Sequence, residues 1–418
     1  MGKIAIQALV NTMGVSVVAA FAVVNRIDDF AITPEQNIAH AMTALMAQNK
    51  GAKRNDRMRE GFRCGLVLET IYGILIFIVC FVFARHLMML FVKDEEVIGP
   101  GVTYLHLISI MYILPAITNG LQGFFRGIGD SKSPMYFIAV ACAANIGLDY
   151  LFIGVMGLDA AGAALGTTIA QAVSVIVSLT VVIKKGTGIK LRRSDLRPKR
   201  HTMKNILKVG VPVALQDGFI QISFIAITIF ANQRGLNDAA AVGIVEKIIG
   251  ILFLVPSSML STISALASQN IGAGKHDRAR LTLRYVLCMT VGYGLVAATI
   301  VQFVSVPFVG LFTNDGAVQI LGGQYLRSYA WDCVFAGVHF CLSGYFYAYG
   351  LSIASFIHNS ISIICARIPL SYYAATHFPD TLFPMGCAAP AGSMVSIVIC
   401  VGVFVWMNKH TEKYMERT

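Results

Sequence analysis

Asn145-Ile-Gly-Leu-Asp149 carries the sharpest chemical signal in this sequence. Asn and Asp four residues apart share one face of a helix. The carboxylate supplies charge and the amide oxygen a neutral ligand, a donor set that suits a small hard cation. Taken out of water, the same carboxylate can hold a proton. Thr167, on the following helix, adds a hydroxyl oxygen. The competing reading is a helix-end carboxylate that faces the outer water.

A second set of polar residues crowds one apolar stretch, 17–47, which carries Asn25, Arg26, Asp28, Asp29, Glu35, Gln36, Asn37 and His40. A charge at the centre of a bilayer costs about 2.5–3.5 kcal/mol on insertion scales, so such groups face protein or water. Arg26 and Asp29 sit at i,i+3 and can pair on one helix face. Either this is an internal ion pair, or the helix lines an aqueous cavity and offers carboxylates to a cationic substrate. Asn25, Arg26, Asp28 and Asp29 are the candidate cavity residues here. Glu246, Gln221 and the ring of Trp331 are the candidates further along, the last because a ring face attracts organic cations. Asp217, Arg327, Asp332 and Arg367 read as satisfied internal polar groups, and Glu69 as a residue near a cytoplasmic helix end.

The elements that must position these groups follow from composition. The chain has 418 residues, 56% hydrophobic and 13% charged, with a mean hydropathy of +0.68. Soluble domains carry roughly 25% charged residues, so a soluble enzyme, a disordered chain and a coiled coil are excluded. The apolar runs are long and continuous, as in Val286–Leu311, rather than alternating as barrel strands do. Lipid offers no hydrogen-bond partners, so these runs are helices. Of the 33 Lys and Arg, 25 lie in segments 50–63, 126–132, 184–208, 275–284 and 409–417. These alternate between spans, which places them and the C-terminus in the cytoplasm and explains the net charge of +11 without nucleic acid. Nine scattered cysteines read as small hydrophobes, not as a disulfide or metal framework.

Spans are expected at 17–47, 61–83, 101–123, 133–155, 160–184, 204–232, 238–268, 281–311, 322–349, 354–377 and 389–408. Residues 4–13 are apolar too, but that length covers only about 15 Å of a hydrocarbon layer about 30 Å thick. A repeat accounts for this half helix. Gln48-Asn49-Lys50-Gly51-Ala52 matches Gln269-Asn270-Ile271-Gly272-Ala273, 221 residues on. At the same offset Asp56-Arg57 falls on Asp277-Arg278, Leu90-Phe91 on Leu311-Phe312, Tyr104-Leu105 on Tyr325-Leu326, Gly123 on Gly344 and Gly129 on Gly350. The expected fold is an all-α polytopic membrane protein with about eleven full transmembrane helices plus a partial first helix. It forms two homologous six-helix lobes in parallel repeat. The N-terminal lobe is 1–183, a basic cytoplasmic linker 184–203, and the C-terminal lobe 204–418. Asn145, Asp149 and Thr167 fall on Ala366, Leu370 and Ala388, so the cation cluster belongs to the first half alone.

These features resemble the multidrug and toxic compound extrusion (MATE) transporters. The QNxGA motif with a basic stretch in each half, Gly123-Phe-Phe-Arg-Gly-Ile-Gly-Asp-Ser-Lys-Ser-Pro134, Asn145-Ile-Gly-Leu-Asp-Tyr150 and Gly157-Leu-Asp-Ala-Ala-Gly-Ala-Ala-Leu-Gly-Thr167 carry the resemblance over essentially the whole chain. It implies export of organic cations or other amphipaths, driven by protons or sodium. In the prokaryotic DinF-like branch it implies a cation-coupling site at Asn145, Asp149 and Thr167. That family site also uses an Asp on the first helix, which residues 4–13 lack; either that residue lies in the missing part of the helix or this subgroup lacks it, and the repeat offset makes the chain read as truncated in its first helix. A second-lobe Glu of the sodium-coupled branch falls near Gln221.

The expectation is therefore a multi-pass antiporter of the plasma (cytoplasmic) membrane, working by alternating access as a monomer. Its partners are a small amphipathic or cationic substrate and the bilayer, not nucleic acid. No cofactor is expected, the coupling ion is H+ or Na+, and no metal beyond sodium at Asp149 is implied. No catalytic residue is expected, because no phosphate loop, metal motif or nucleophile elbow occurs. The rivals are a flippase of a lipid-linked saccharide or cell-wall precursor, a membrane transferase, and an inactive truncated product.

Overall fold

The computed structural model describes residues 15–185 and 199–410. The half helix at 4–13, most of the linker 184–203 and the last eight residues lie outside the described residues. Two compact units divide the chain between Gly210 and Val211, with Gly51–Lys53 grouped with the second.

The first unit holds α1 (Val15–Gly51), α2 (Asn55–Val82), α3 (Ala84–Met89), α4 (Glu95–Ser109), α5 (Ile113–Gly127), α6 (Lys132–Asp149) and α7 (Asp159–Lys185). A six-residue π-helical segment, Tyr150–Val155, follows α6 directly. α8 (Arg200–Arg234) runs across the division. The second unit continues with α9 (Leu236–Leu252), α10 (Leu254–Gly272), α11 (His276–Gly310), α12 (Gly316–Tyr329), α13 (Asp332–Ala348), α14 (Ser352–Ser362), α15 (Ile368–His377), α16 (Phe383–Gly386) and α17 (Ala388–Lys409). A second π-helical segment, Ile363–Arg367, joins α14 to α15.

Among the described residues, nine helical stretches are long and apolar enough to cross a membrane. The expected spans 17–47 and 322–349 are not among the nine, although both are helical. α1 carries Arg26, Asp28, Asp29 and Glu35, and α12 and α13 are separate helices of 14 and 17 residues. Glu69 also departs from expectation. It lies fourteen residues into α2, about 21 Å along the axis, and is fully buried. Exposed Ile71, Leu75, Ile78 and Val82 give α2 an apolar outer face of the kind that meets lipid.

Contacts within each unit recur at matching places. The Tyr72 hydroxyl donates to Ala31 O at 2.9 Å, and the Tyr293 hydroxyl to Leu252 O at 3.0 Å. Leu252 O is the carbonyl that Pro256, four residues on, leaves without its helical donor. A Cβ on Gly123 would stand 2.7 Å from Ala39 O, and one on Gly344 2.5 Å from Leu260 O. Asp94 and Asp315 both cap their helices, accepting from Glu96 N–H and from Ala317 and Val318 N–H. α5 and α13 end on Gly129 and Gly350, at φ +88° and +71°, where the left-handed conformation favours glycine. The units differ at Phe83, which breaks α2 from α3 while α11 continues unbroken to Gly310.

Buried apolar residues form two clusters in each unit. In the first, Phe62, Phe124, Phe125 and Phe137 anchor one, and Tyr104, Leu105, Met88 and Tyr112 the other. In the second unit, the Arg234 guanidinium holds Asp238 at 2.6 Å and donates to Ala375 O, Phe378 O, Pro379 O and Thr381 O, fixing the end of α15.

Candidate functional site

α6 and α7 pack along their lengths and bring Asn145, Asp149 and Thr167 together. The close approach comes from Gly162-Ala-Ala-Leu-Gly166, a small-xxx-small pattern that lets helices touch. A Cβ on Gly162 would stand 3.1–3.2 Å from Leu158 and Phe152. A Cβ on Gly166 would overlap Asp149 Oδ1. The carboxylate therefore occupies the space that this glycine leaves empty.

Asp149 is 1% exposed, which removes the reading of a helix-end carboxylate in outer water. Neither of its oxygens accepts a hydrogen bond among the described residues. One turn earlier, the Asn145 amide donates to the Thr167 hydroxyl at 3.4 Å. The cluster thus offers two carboxylate oxygens, an amide oxygen and a hydroxyl. The π-helical segment begins at the next residue, Tyr150. Such segments recur at functional sites because they widen the helix and redirect side chains.

Tyr104, on α4, is the residue that sequence reasoning missed. It is buried, and both Asp28 and Asp149 act electrostatically on its hydroxyl. Asp28, itself buried, thereby joins the neighbourhood of the cation cluster. The signal was present: Tyr104 and Tyr325 are a matched pair in the repeat. The other α1 candidates diverge, with Asn25 half-buried and Arg26 and Asp29 exposed.

Gln221, Glu246 and Trp331 belong to the second unit. Gln221 is half-buried on α8, and Trp331 is 38% exposed at the break between α12 and α13. Glu246 is half-buried on α9 and acts on Arg367, as does buried Asp332. The Arg367 guanidinium donates to the Tyr329 hydroxyl at 2.6 Å and lies 4.8 Å from the Phe224 ring centre. This cluster contains its own cation. Asp149 makes no ion pair among the described residues. No group of three or more His, Cys, Asp or Glu suited to a metal ion occurs among the described residues.

Fold and sequence together define a polytopic membrane protein that is all-helical among the described residues. The chain belongs to the MatE family, whose family model matches residues 1–151 and 212–373. It is similar to "Probable multidrug resistance protein YoeA" of Bacillus subtilis, 23% identical over 99% of this chain and 91% of that protein. "Probable multidrug resistance protein YpnP" of the same organism is 28% identical over 86% of this chain and 81% of that one. The same fold occurs in a solved multidrug resistance MATE transporter in an outward-facing conformation. Its TM-score is 0.91 at 18% identity, over 100% of this chain and 92% of that one. A transporter of the MOP superfamily from Pyrococcus furiosus has a TM-score of 0.89 at 18% identity, covering 99% and 92%.

Proposed function

We propose that the chain exports organic cations and other amphipathic compounds in exchange for protons or sodium by alternating access, with Asn145, Asp149 and Thr167 as the coupling-cation site. The observation that carries this reading is Asp149 itself. A buried, uncompensated carboxylate is costly unless something neutralises it. A proton or sodium ion does so, and the amide and hydroxyl beside it suit either. Binding there shifts a conformational equilibrium only if the cation has different affinities in the two states. The relatives named for multidrug resistance support export of drug-like compounds, and nothing in them favours a lipid-linked saccharide.

The test is transport by the purified chain in liposomes. A fluorescent organic cation should move against an imposed pH gradient, a sodium gradient, or both, and the effective gradient identifies the ion. Movement insensitive to both gradients would sink the exchange reading.

A further inference from the structure

Glu35 on α1 and Glu69 on α2 are two further acids in the first unit that the coupling site does not use. They are 1% and 0% exposed. Among the described residues, Glu35 Oε1 has no hydrogen-bond partner, and the Gly120 backbone N–H is the one group that offers Glu69 a hydrogen bond. The packing of α1 on α2 sets them opposite each other. Tyr72 bonds Ala31 O, Glu69 lies three residues before Tyr72, and Glu35 lies four after Ala31. Moving one turn from that bond along antiparallel helices reaches both carboxylates. Glu35 accordingly acts electrostatically on Glu69 and on Tyr72. Gly120 of α5 closes the third side, where a Cβ would stand 2.8 Å from Glu69 Oε2. Each carboxylate lies about 20–25 Å along its helix from the α1–α2 turn.

The charged and titratable neighbours do not neutralise the pair. Asp28 on α1 adds negative charge near Tyr112 and Cys80. His40 on α1 is the group on which Arg126 of α5 acts. No cationic side chain acts on Glu35 or Glu69 among the described residues.

The second unit supplies an internal control. At the matching places, 221 residues on, it carries Pro256 and Thr290. The Thr290 hydroxyl is satisfied by Val286 O at 2.7 Å. The surrounding architecture persists there. Tyr293 bonds Leu252 O as Tyr72 bonds Ala31 O. A Cβ on Gly294 would meet Cys333 O at 2.9 Å, as one on Gly73 would meet Tyr112 O at 2.8 Å. Helix packing of this kind therefore does not require the acids, whose burial is costly.

We propose that Glu35 and Glu69 jointly hold one exchangeable monovalent cation, a proton or a sodium ion, at mid-membrane depth, as a second cation site beside that of Asp149. Two facing carboxylates away from water do not both stay charged without a neutralising cation, and they load and release it as a pair. Its use as a second coupling site rests on the exchange reading above, whereas cation binding at the pair does not.

Infrared difference spectroscopy of the purified full chain, acid minus alkaline buffer, tests binding without any need for transport. Spectra are taken in sodium chloride and in choline chloride, for wild type, Glu69→Gln, Glu35→Gln and Asp149→Asn. The expected result is a protonated-carboxyl band in choline that Asp149→Asn retains in part and that each Gln variant diminishes. Loss of that part of the band in sodium assigns sodium competition at the same pair, and its persistence assigns the proton alone. Gln is nearly isosteric with Glu, and Glu69→Thr, which copies the second unit, provides an independent folded variant. Identical difference spectra for wild type and all three Glu variants in both salts would overturn the proposal.

Discussion

Gly166 and Asp149 meet so closely across α6 and α7 that a methyl group at residue 166 would overlap Asp149 Oδ1. The glycine is thus part of the shape of the candidate cation site. Gly166→Ala should push the carboxylate off its position and lower apparent affinity for the coupling ion about 10–100-fold, the range for residues that orient ligands from behind. Gly147→Ala is the matched control, since a Cβ there meets nothing within 4 Å. Ion-concentration dependence of transport for the two variants reads the difference directly. Equal affinities would remove Gly166 from the site.

Asp149 accepts no hydrogen bond among the described residues, so its charge contributes nothing to holding the fold. At alkaline pH and without sodium, where no cation neutralises the carboxylate, Asp149→Asn should leave thermal stability in detergent unchanged or raise it, by about 1–3 kcal/mol at most, because an uncompensated buried charge is removed. A clear drop in melting temperature would mean that the carboxylate has a structural partner.

Part of this site was legible in the sequence, and the reason is local. Asn145 and Asp149 lie on one helix at a spacing whose geometry is fixed, and their absence from the second half was visible at the repeat offset. Gly166 was not legible, because its role is defined by the helix facing it. The same holds for Glu35 and Glu69, which are 34 residues apart and meet only through the packing of α1 on α2. Glu69 was misplaced toward a helix end because hydropathy marks a span but not the depth of one residue in it. Likewise, apolar runs foretold helices, and the expected span 61–83 ends where Phe83 breaks α2 from α3, but they did not foretell the π-helical turns after Asp149 and Ser362.

The close approach of α1 to α5 and of α10 to α13 runs through Gly123 and Gly344, each of which would bring a Cβ against a backbone carbonyl. Backbone gives way less readily than a flexible side chain. Gly123→Ala and Gly344→Ala should each destabilise the protein by about 1–3 kcal/mol, the usual cost of overpacking. Gly292→Ala, where a Cβ meets open space inside α11, should be neutral or stabilising by up to about 1 kcal/mol. Thermal unfolding of the three variants decides this, and a neutral Gly123→Ala would contradict the packing described.

The turn after α1 offers a prediction of opposite sign. Lys53 is the one non-glycine at positive φ among the described residues, at +57°. It precedes the bond from Arg54 N–H to Asn49 O at 2.9 Å, as Gly274 at φ +71° precedes that from Lys275 N–H to Asn270 O at 2.8 Å. A side chain in this conformation costs about 1–2 kcal/mol. Lys53→Gly should therefore stabilise the protein by up to about 1 kcal/mol after the greater unfolded-state entropy of glycine is counted. A lower melting temperature for this variant would show that the lysine side chain holds the turn.

The central claim is that Asp149 couples the cation to the substrate, and the comparison of two transport modes in liposomes tests it most directly. Wild type and Asp149→Asn are measured for uphill movement of a fluorescent organic cation under the effective ion gradient, and for substrate exchange at equal ion concentrations. The account predicts that the variant loses the gradient-driven movement and keeps the exchange. Undiminished gradient-driven movement by Asp149→Asn would contradict it.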